Sequence, residues 1–466
     1  MSEPTRTPPS EETDPVAVLL SLRAALIERV DALAGRAPWW SVALAAGLIV
    51  VRFALRVSGF GGPLGVALSV LAGITFGLIS RAFWIRWREA FVRRVPWWSR
   101  ALAGVLIVIG IILPFFFTEA SGFMGATIVA LAYVVMALGL NVVVGFAGLL
   151  DLGYVAFYAL GAYCVAWFGS DFFFNSHVHV LVSGIAATES GIHLNFVLIL
   201  VCAVIITSVA GIIIGLPTLR LRSDYIAIVT LAFGEIIGVL AVNGQSIHIG
   251  NGETLTNGNS GISALDLPYF PGLGSFNLLK LRPWYWLIFA IMLLVLFINL
   301  RLRDSRLGRA WIAVREDEVA AVSMGIPLVR TKLTAYAIGA TFGGMSGAFL
   351  GAFNTTVNAG QFAFSFSIFV LAMIIVGGLG SIWGVVLGAL MLSYINYYLI
   401  PDVLNGLPGD LGLHFSLTQL SFGIFGFLLV LVMILRPQGL FPERRRRMEL
   451  TAGIAAEDAQ LVEAQE

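Results

Sequence analysis

Runs of about 20 consecutive apolar residues recur along this 466-residue sequence, and they restrict it to a bundle of membrane-spanning helices. A bilayer core roughly 30 Å thick needs that length because each helical residue rises about 1.5 Å. Candidate runs lie near 64–80, 96–117, 124–144, 152–169, 194–216, 224–243, 284–300, 332–353, 365–400 and 415–435. The 365–400 run is too long for one span, and the glycine-rich stretch at 377–384 (GGLGSIWG) divides it into two shorter helices. A stretch at 39–57 contains Arg52 and Arg56 and reads as a marginal, tilted or interfacial helix. With 58% hydrophobic and 12% charged residues, the chain departs from a soluble domain, which is about 45–50% apolar and about 25% charged. The predicted fold is therefore all-α, a polytopic transmembrane helix bundle of about ten core spans plus one or two N-terminal hydrophobic segments.

The net charge of +1 says little, whereas the placement of charge says much. Segments 81–95, 217–222, 301–332 and 436–447 carry 19 Lys and Arg residues, while the loops alternating with them carry two, Lys280 and Arg282. By the positive-inside rule the basic loops, and with them both termini, are expected in the cytoplasm. The organisation reads as a polar N-terminal segment at 1–38, an N-terminal extension with one or two hydrophobic helices at 39–95, a helical bundle at 96–447, and a disordered acidic tail at 448–466. The first residues lack a basic region leading into an apolar core, so no cleaved signal is expected.

Candidate chemistry is sparse. Cys164 and Cys202 fall inside apolar segments and read as packing residues. All five histidines sit in the proposed outer loops, and His177 and His179 would point to one face of an extended chain. No acidic or thiol ligand stands at matching spacing, so they are read as loop residues and no metal is expected. The lysines, Lys280 and Lys332, follow no phosphate-cradling loop. ATP hydrolysis by this chain is thus excluded, no cofactor is expected, and no catalytic constellation argues for an enzyme.

Two carboxylates at membrane depth need an explanation, since placing one at mid-bilayer costs about 2.5–3.5 kcal/mol even on the lenient insertion scale. Asp151 sits in the glycine-rich break GFAGLLDLGY and Glu235 in the middle of SDYIAIVTLAFGEIIGVLAVN. Either they border a polar path, or Glu235 bonds a neighbouring helix and Asp151 caps one. Gly339, Gly343, Gly347 and Gly351 recur every four residues and leave one helix face as bare backbone, a close-packing device in lipid. The segments 145–162 and 376–389 echo each other weakly, as two parallel halves with glycine-broken helix pairs would.

The loop at 301–330 is the most informative segment. It reads as one helix from about Arg306 to Ser323, punctuated by Gly325 and Pro327. Ile312, Val319, Val322 and Ile326 form a thin apolar stripe, with Arg315, Glu316, Asp317 and Glu318 on the exposed side. Mixed charges and small alanines suit insertion into a protein groove better than a membrane surface.

At these residues the chain resembles the LivM-type permease subunit of ATP-driven importers for branched-chain amino acids. The resemblance covers roughly 96–447 and rests on GLNVVVGFAGLLDLGYVAFYALGAY at 139–163, LPTLRLRSDYIAIVTLAFGEII at 216–237, GRAWIAVREDEVAAVSMGI at 308–326 and RPQGLFP at 436–442. It implies a coupling loop that fits an ATPase groove, with Arg309, Arg315, Glu316, Glu318, Ala320, Ala321 and Gly325 as its residues. Ala320, Ala321 and Gly325 keep the family spacing, and Glu318 stands one residue further upstream than the strict motif. Asn141, Asp151, Tyr154 and Glu235 become candidates for the translocation path. The resemblance further implies ATPase subunits, a second related permease chain, an extracytoplasmic binding protein and a bacterial inner-membrane location. The outer-loop stretch TLTNGNSGI at 254–262 departs from the family's GGxNG run, so urea, short amides and other amino acids stay open as substrates. An ion-coupled secondary transporter, resting on Asp151 and Glu235, and a non-transporting scaffold are the competing readings.

Overall fold

The computed structural model describes residues 121–181, 190–218, 223–249, 252–270 and 280–404, together with isolated positions between 104 and 117, at 276–277 and between 420 and 439. The expected features at 1–38, 39–57, 64–80 and 448–466, and most of 96–117 and 415–435, lie outside the described residues. The chain divides into two compact units, Met1–Ile111 with Gly406–His414 and Ile112–Asn405 with Phe415–Glu466. The second unit carries the helical bundle.

Its helices are α1 (Gly122–Leu140), α2 (Val155–Phe168), α3 (Phe196–Thr218), α4 (Ser223–Asn243), α5 (Leu281–Asp304), α6 (Arg306–Glu316), α7 (Glu318–Ser323), α8 (Leu328–Asn354), α9 (Phe364–Gly377) and α10 (Ile382–Tyr394). The first and last continue as wider π-helical turns, Asn141–Phe146 after α1 and Ile395–Leu404 after α10. Six of these helices, counted with their flanking turns, are long and apolar enough to cross a bilayer: α1, α3, α4, α5, α8 and α10. The other apolar pair, α2 and α9, has 14 residues each, too few to cross alone.

Short polar residues start the helices where the pattern of apolar residues begins. Ser121 caps α1 by accepting from the Met124 amide at 3.2 Å, and Ser381 caps α10 by accepting from the Gly384 amide at 3.1 Å. The long 365–400 run does divide: Gly378 and Gly380 take φ of +117° and +82°, a backbone that only glycine adopts readily, and α9 stops there.

At the centre lies α1, whose residues from Ala130 to Val143 are almost all sealed from solvent. Around it pack α8, α10, α5 and α9, while α8 also packs on α2 and α3. Glycines on α8 make this close approach: a Cβ at Gly347 of the stripe would overlap the Tyr158 carbonyl, and one at Gly344, beside the stripe, would overlap Thr207 of α3. Gly161 of α2 reciprocates against the Gly344 backbone. Cys164 is buried and both it and Cys202 are free thiols.

Small strands lie between the helices. In one sheet β1 (Gly169–Ser170) pairs antiparallel with β3 (Gly191–Leu194), which pairs parallel with β2 (His177–Val180). Then β4 (His248–Ile249) pairs with β5 (Glu253–Thr254), and β6 (Ile262–Ser263) with β7 (Thr356–Val357). The last pairing ties the loop after α4 to the loop after α8.

Candidate functional site

Between α1 and α2 the chain runs without helix from Ala147 to Gly153. Gly148 turns it at φ +72°, and a side chain there would run into Arg315. Non-helical backbone at membrane depth needs partners, and side chains supply three of them here. The Leu152 amide donates to the Thr230 hydroxyl of α4 at 3.1 Å, the Gly153 amide to Asp151 Oδ1 at 2.9 Å, and the Val155 amide to the Ser367 hydroxyl of α9 at 3.0 Å.

Asp151 thus caps its own turn with one oxygen. Its other oxygen, Oδ2, is buried without a hydrogen-bond partner, and the residue is 1% exposed. Tyr154 is sealed from solvent, and its hydroxyl donates to the Gly339 carbonyl of α8 at 2.7 Å. Asn141 opens the π-helical turn; its Oδ1 accepts from the Gly380 amide at 3.0 Å, and its Nδ2 is buried and unpartnered. This bond ties the π-helical turn that leads into one glycine-rich break to the backbone of the other. Asp151 and Tyr154 thus lie together in the break between α1 and α2, and Asn141 lies in the turn that enters it.

Glu235 does not join them. On α4, Thr230 and Gly234 face this junction, with a Gly234 Cβ at 3.1 Å from Gly153 Cα. Glu235 lies on the opposite, exposed face beside Ile228, Ile236 and Val239.

The 301–330 loop differs from the single helix expected. Asp317 adopts an extended backbone (φ −156°, ψ 111°) that ends α6 and caps α7, its Oδ1 accepting from the Val319 and Ala320 amides at 2.8 and 3.0 Å. The kink also divides the expected apolar stripe: Ile312 and Ile326 are half-buried while Val319 and Val322 are exposed, and the inward contacts come from residues outside it. Trp311 and Val314 turn inward, and the Trp311 indole donates to the Thr331 carbonyl at 2.9 Å. Val319, Val322 and Met324 instead project outward at 77%, 51% and 83% exposure. Ala320 is exposed and Ala321 buried, while Gly325 turns the chain at φ +82° into α8.

The charged residues divide in the same way. Arg309 and Glu316 are exposed, Arg309 donating to the Asp304 carbonyl at 2.8 Å. Arg315 reaches inward and donates to the Gly145 carbonyl at 2.6 Å, so the loop touches the end of α1. Glu318 also turns inward, its Oε1 2.6 Å from Nζ of the buried Lys332. The roles of Lys332 and Asp317 were not foreseen from the sequence. An N-cap signal was present at Asp317, directly before EVAAV, but the pairing of Lys332 was not visible locally.

A third cluster, also missed, forms where the loop between α2 and α3 meets Asp266 of the loop after α4. His193 is buried, with Nδ1 2.7 Å from Asp266 Oδ2 and Nε2 3.1 Å from both the Ser190 carbonyl and Asp171 Oδ1. His179 stacks on its ring at 5.0 Å. Burial pulls the His193 pKa down, but Asp266, Ser190 and Asp171 outweigh it and raise the imidazole above its ordinary value. Among the described residues no group of three or more His, Cys, Asp or Glu side chains is arranged so that it could hold a metal ion.

A family model described as the branched-chain amino acid transport system / permease component matches residues 122–433. The high-affinity branched-chain amino acid transport system permease protein LivM of Salmonella typhimurium is 36% identical over 370 residues, 75% of this chain and 76% of that one. A probable LivM of Methanocaldococcus jannaschii is 27% identical over 67% of this chain and 91% of its own. The LivH permease protein of Escherichia coli is 27% identical over 44% of this chain and 64% of its own. No solved structure matches the chain.

Proposed function

The chain belongs to the permease-component family of branched-chain amino acid transport systems, and we propose that it is the membrane half of an ATP-driven importer for branched-chain or related hydrophobic amino acids. In this reading a soluble extracytoplasmic protein delivers the substrate, a second related permease completes the path, and ATPase subunits in the cytoplasm supply the energy. The location is the bacterial inner membrane, with both termini cytoplasmic.

One observation carries the coupling role: α7 presents Val319, Val322 and Met324 outward while its base is anchored inward. Two links lead from α6 and α7 into the bundle. Glu318 holds Lys332 at the start of α8, and Arg315 holds the Gly145 carbonyl at the end of α1. A push on α7 is thereby passed to the helices that flank the α1–α2 junction, as rigid elements sliding on glycine faces. Asn141, Asp151 and Tyr154 are assigned to the path at that junction, where the unpartnered Asp151 oxygen is suited to a substrate ammonium and the unpartnered Asn141 Nδ2 to a carboxylate.

The test is reconstitution of the chain with its partner permease, ATPases and binding protein, followed by uptake of leucine, isoleucine, valine, urea and acetamide with and without ATP. ATP-dependent uptake of the branched-chain substrates is expected, and abolished when Val319 and Val322 are both changed to Arg. The buried Asp151 oxygen favours one alternative, ion-coupled transport. Uptake by this chain alone, driven by a proton or sodium gradient without ATP, would establish that instead.

A further inference from the structure

We propose that the uncovered face of α4, which carries Glu235, is the surface on which the second, non-identical permease chain packs, and that this chain presents a hydrogen-bond donor to the Glu235 carboxylate. The inference deepens the proposed function and rests on it.

The argument starts from depth. Glu235 lies twelve residues after Ser223 in a helix of 21 residues. That places it about 18 Å along a helix about 31 Å long, close to the middle of a bilayer core. One face of α4 is committed to this chain: Ala227, Thr230, Gly234 and Ala241 are buried, with Thr230 holding the Leu152 amide. The other face exposes Ile228, Ile236 and Val239 at 62%, 57% and 57%, with Glu235 exposed among them.

Comparison with α3 separates two kinds of uncovered face. Its exposed side carries Val197, Val201, Ile205, Val209 and Ile213, all apolar and repeating every four residues. Lipid tails cover such a face at no cost. They cannot cover Glu235, because a carboxylate in hydrocarbon has no donor to replace its water. Among the described residues no side chain of this chain pairs with it. The face therefore fits protein rather than lipid.

Charge selects which protein. A second copy packed about a two-fold axis on this face would present its own Glu235 to the first, setting like charges together in a low dielectric. A related permease with a different side chain at that level supplies what the carboxylate lacks. A neutral or a cationic donor meets the requirement; another ionised carboxylate, having no proton to donate, does not.

The test uses the assembled transporter in native membranes. The photoreactive residue benzoylphenylalanine is placed singly at Ile236 or Val239 of α4, and at Ile205 or Val209 of α3. The expected result is a light-dependent adduct with the second permease from the α4 positions and lipid adducts alone from α3. Lipid adducts alone from α4, or adducts with a second copy of this chain, would overturn the proposal. In parallel, Glu235→Gln, which still accepts a hydrogen bond, is expected to copurify with the second permease as the native chain does, whereas Glu235→Leu loses it. Equal recovery with both variants removes the donor. If ATP-driven uptake and copurification stand while α4 labels only lipid, this inference fails and the proposed function survives; absence of both uptake and a second permease sinks the two together.

Discussion

Lys332 Nζ stands 2.6 Å from Glu318 Oε1, so the first turn of α7 is fastened to the second turn of α8 across the Gly325 bend. The lysine is buried and the glutamate is half-exposed, which makes the pair asymmetric. Glu318→Ala leaves a buried ammonium without its counter-charge, whereas replacing both partners removes the problem. We expect Glu318→Ala to cost about 1–3 kcal/mol, between the values for exposed and fully buried pairs. Glu318→Ala with Lys332→Met should recover most of it. Thermal unfolding of the purified chain checks the stability, and ATP-driven uptake checks the coupling: the double variant is expected to be stable but poorly coupled.

The cap at Asp317 makes a separate prediction. Its carboxylate satisfies two amides of a six-residue helix that has little packing of its own. Asp317→Ala should destabilise α7 by about 1 kcal/mol, and Asp317→Asn by less, since an amide oxygen still accepts. Protease cleavage between Arg315 and Arg330 reads the difference. Equal cleavage of Asp317→Ala and the native chain would show that the cap does not hold the helix.

The glycine stripe is unequal along its length. A methyl group at Gly347 overlaps the Tyr158 carbonyl, which is backbone and cannot step aside, while at Gly351 the nearest atom is Val357 Cγ2 at 3.3 Å. Gly347→Ala is therefore expected to cost about 1–3 kcal/mol through overpacking. Gly351→Ala should cost much less. Both are measured as loss of folded protein on heating in detergent.

Protonation of His193 links pH to the outer loop. Its folded pKa is raised, so the stabilisation from Asp266, Asp171 and the Ser190 carbonyl is fully present below the unfolded value of about 6.5. It is lost as pH rises through the folded pKa. Proteolysis between β1 and β3 should accordingly quicken as pH rises through that range, relative to His193→Gln, which has no such dependence. An identical pH profile in both would refute the assignment. The groups facing this imidazole are Asp171, Asp266, the Ser190 carbonyl and the stacked His179 ring.

The sequence by itself determined the elements whose cause is local. Apolar runs long enough for a bilayer became α1, α3, α4, α5 and α8, because a buried backbone in lipid must satisfy itself within the helix. The glycines at 377–380 stopped a helix because two of them take positive φ. Tertiary structure decided everything that depends on a partner far along the chain. Asn141 meets Gly380 across 239 residues, and Ser367 reaches Val155 across 212. Glu318 reads as a solvent-facing charge until Lys332 comes beside it. Asp151 and Glu235 look alike in sequence, as lone carboxylates in apolar surroundings, yet one is sealed into a junction and the other stands on an open helix face. Periodicity tells how residues share a helix face, but only the packing of the neighbouring helices chooses which face is covered.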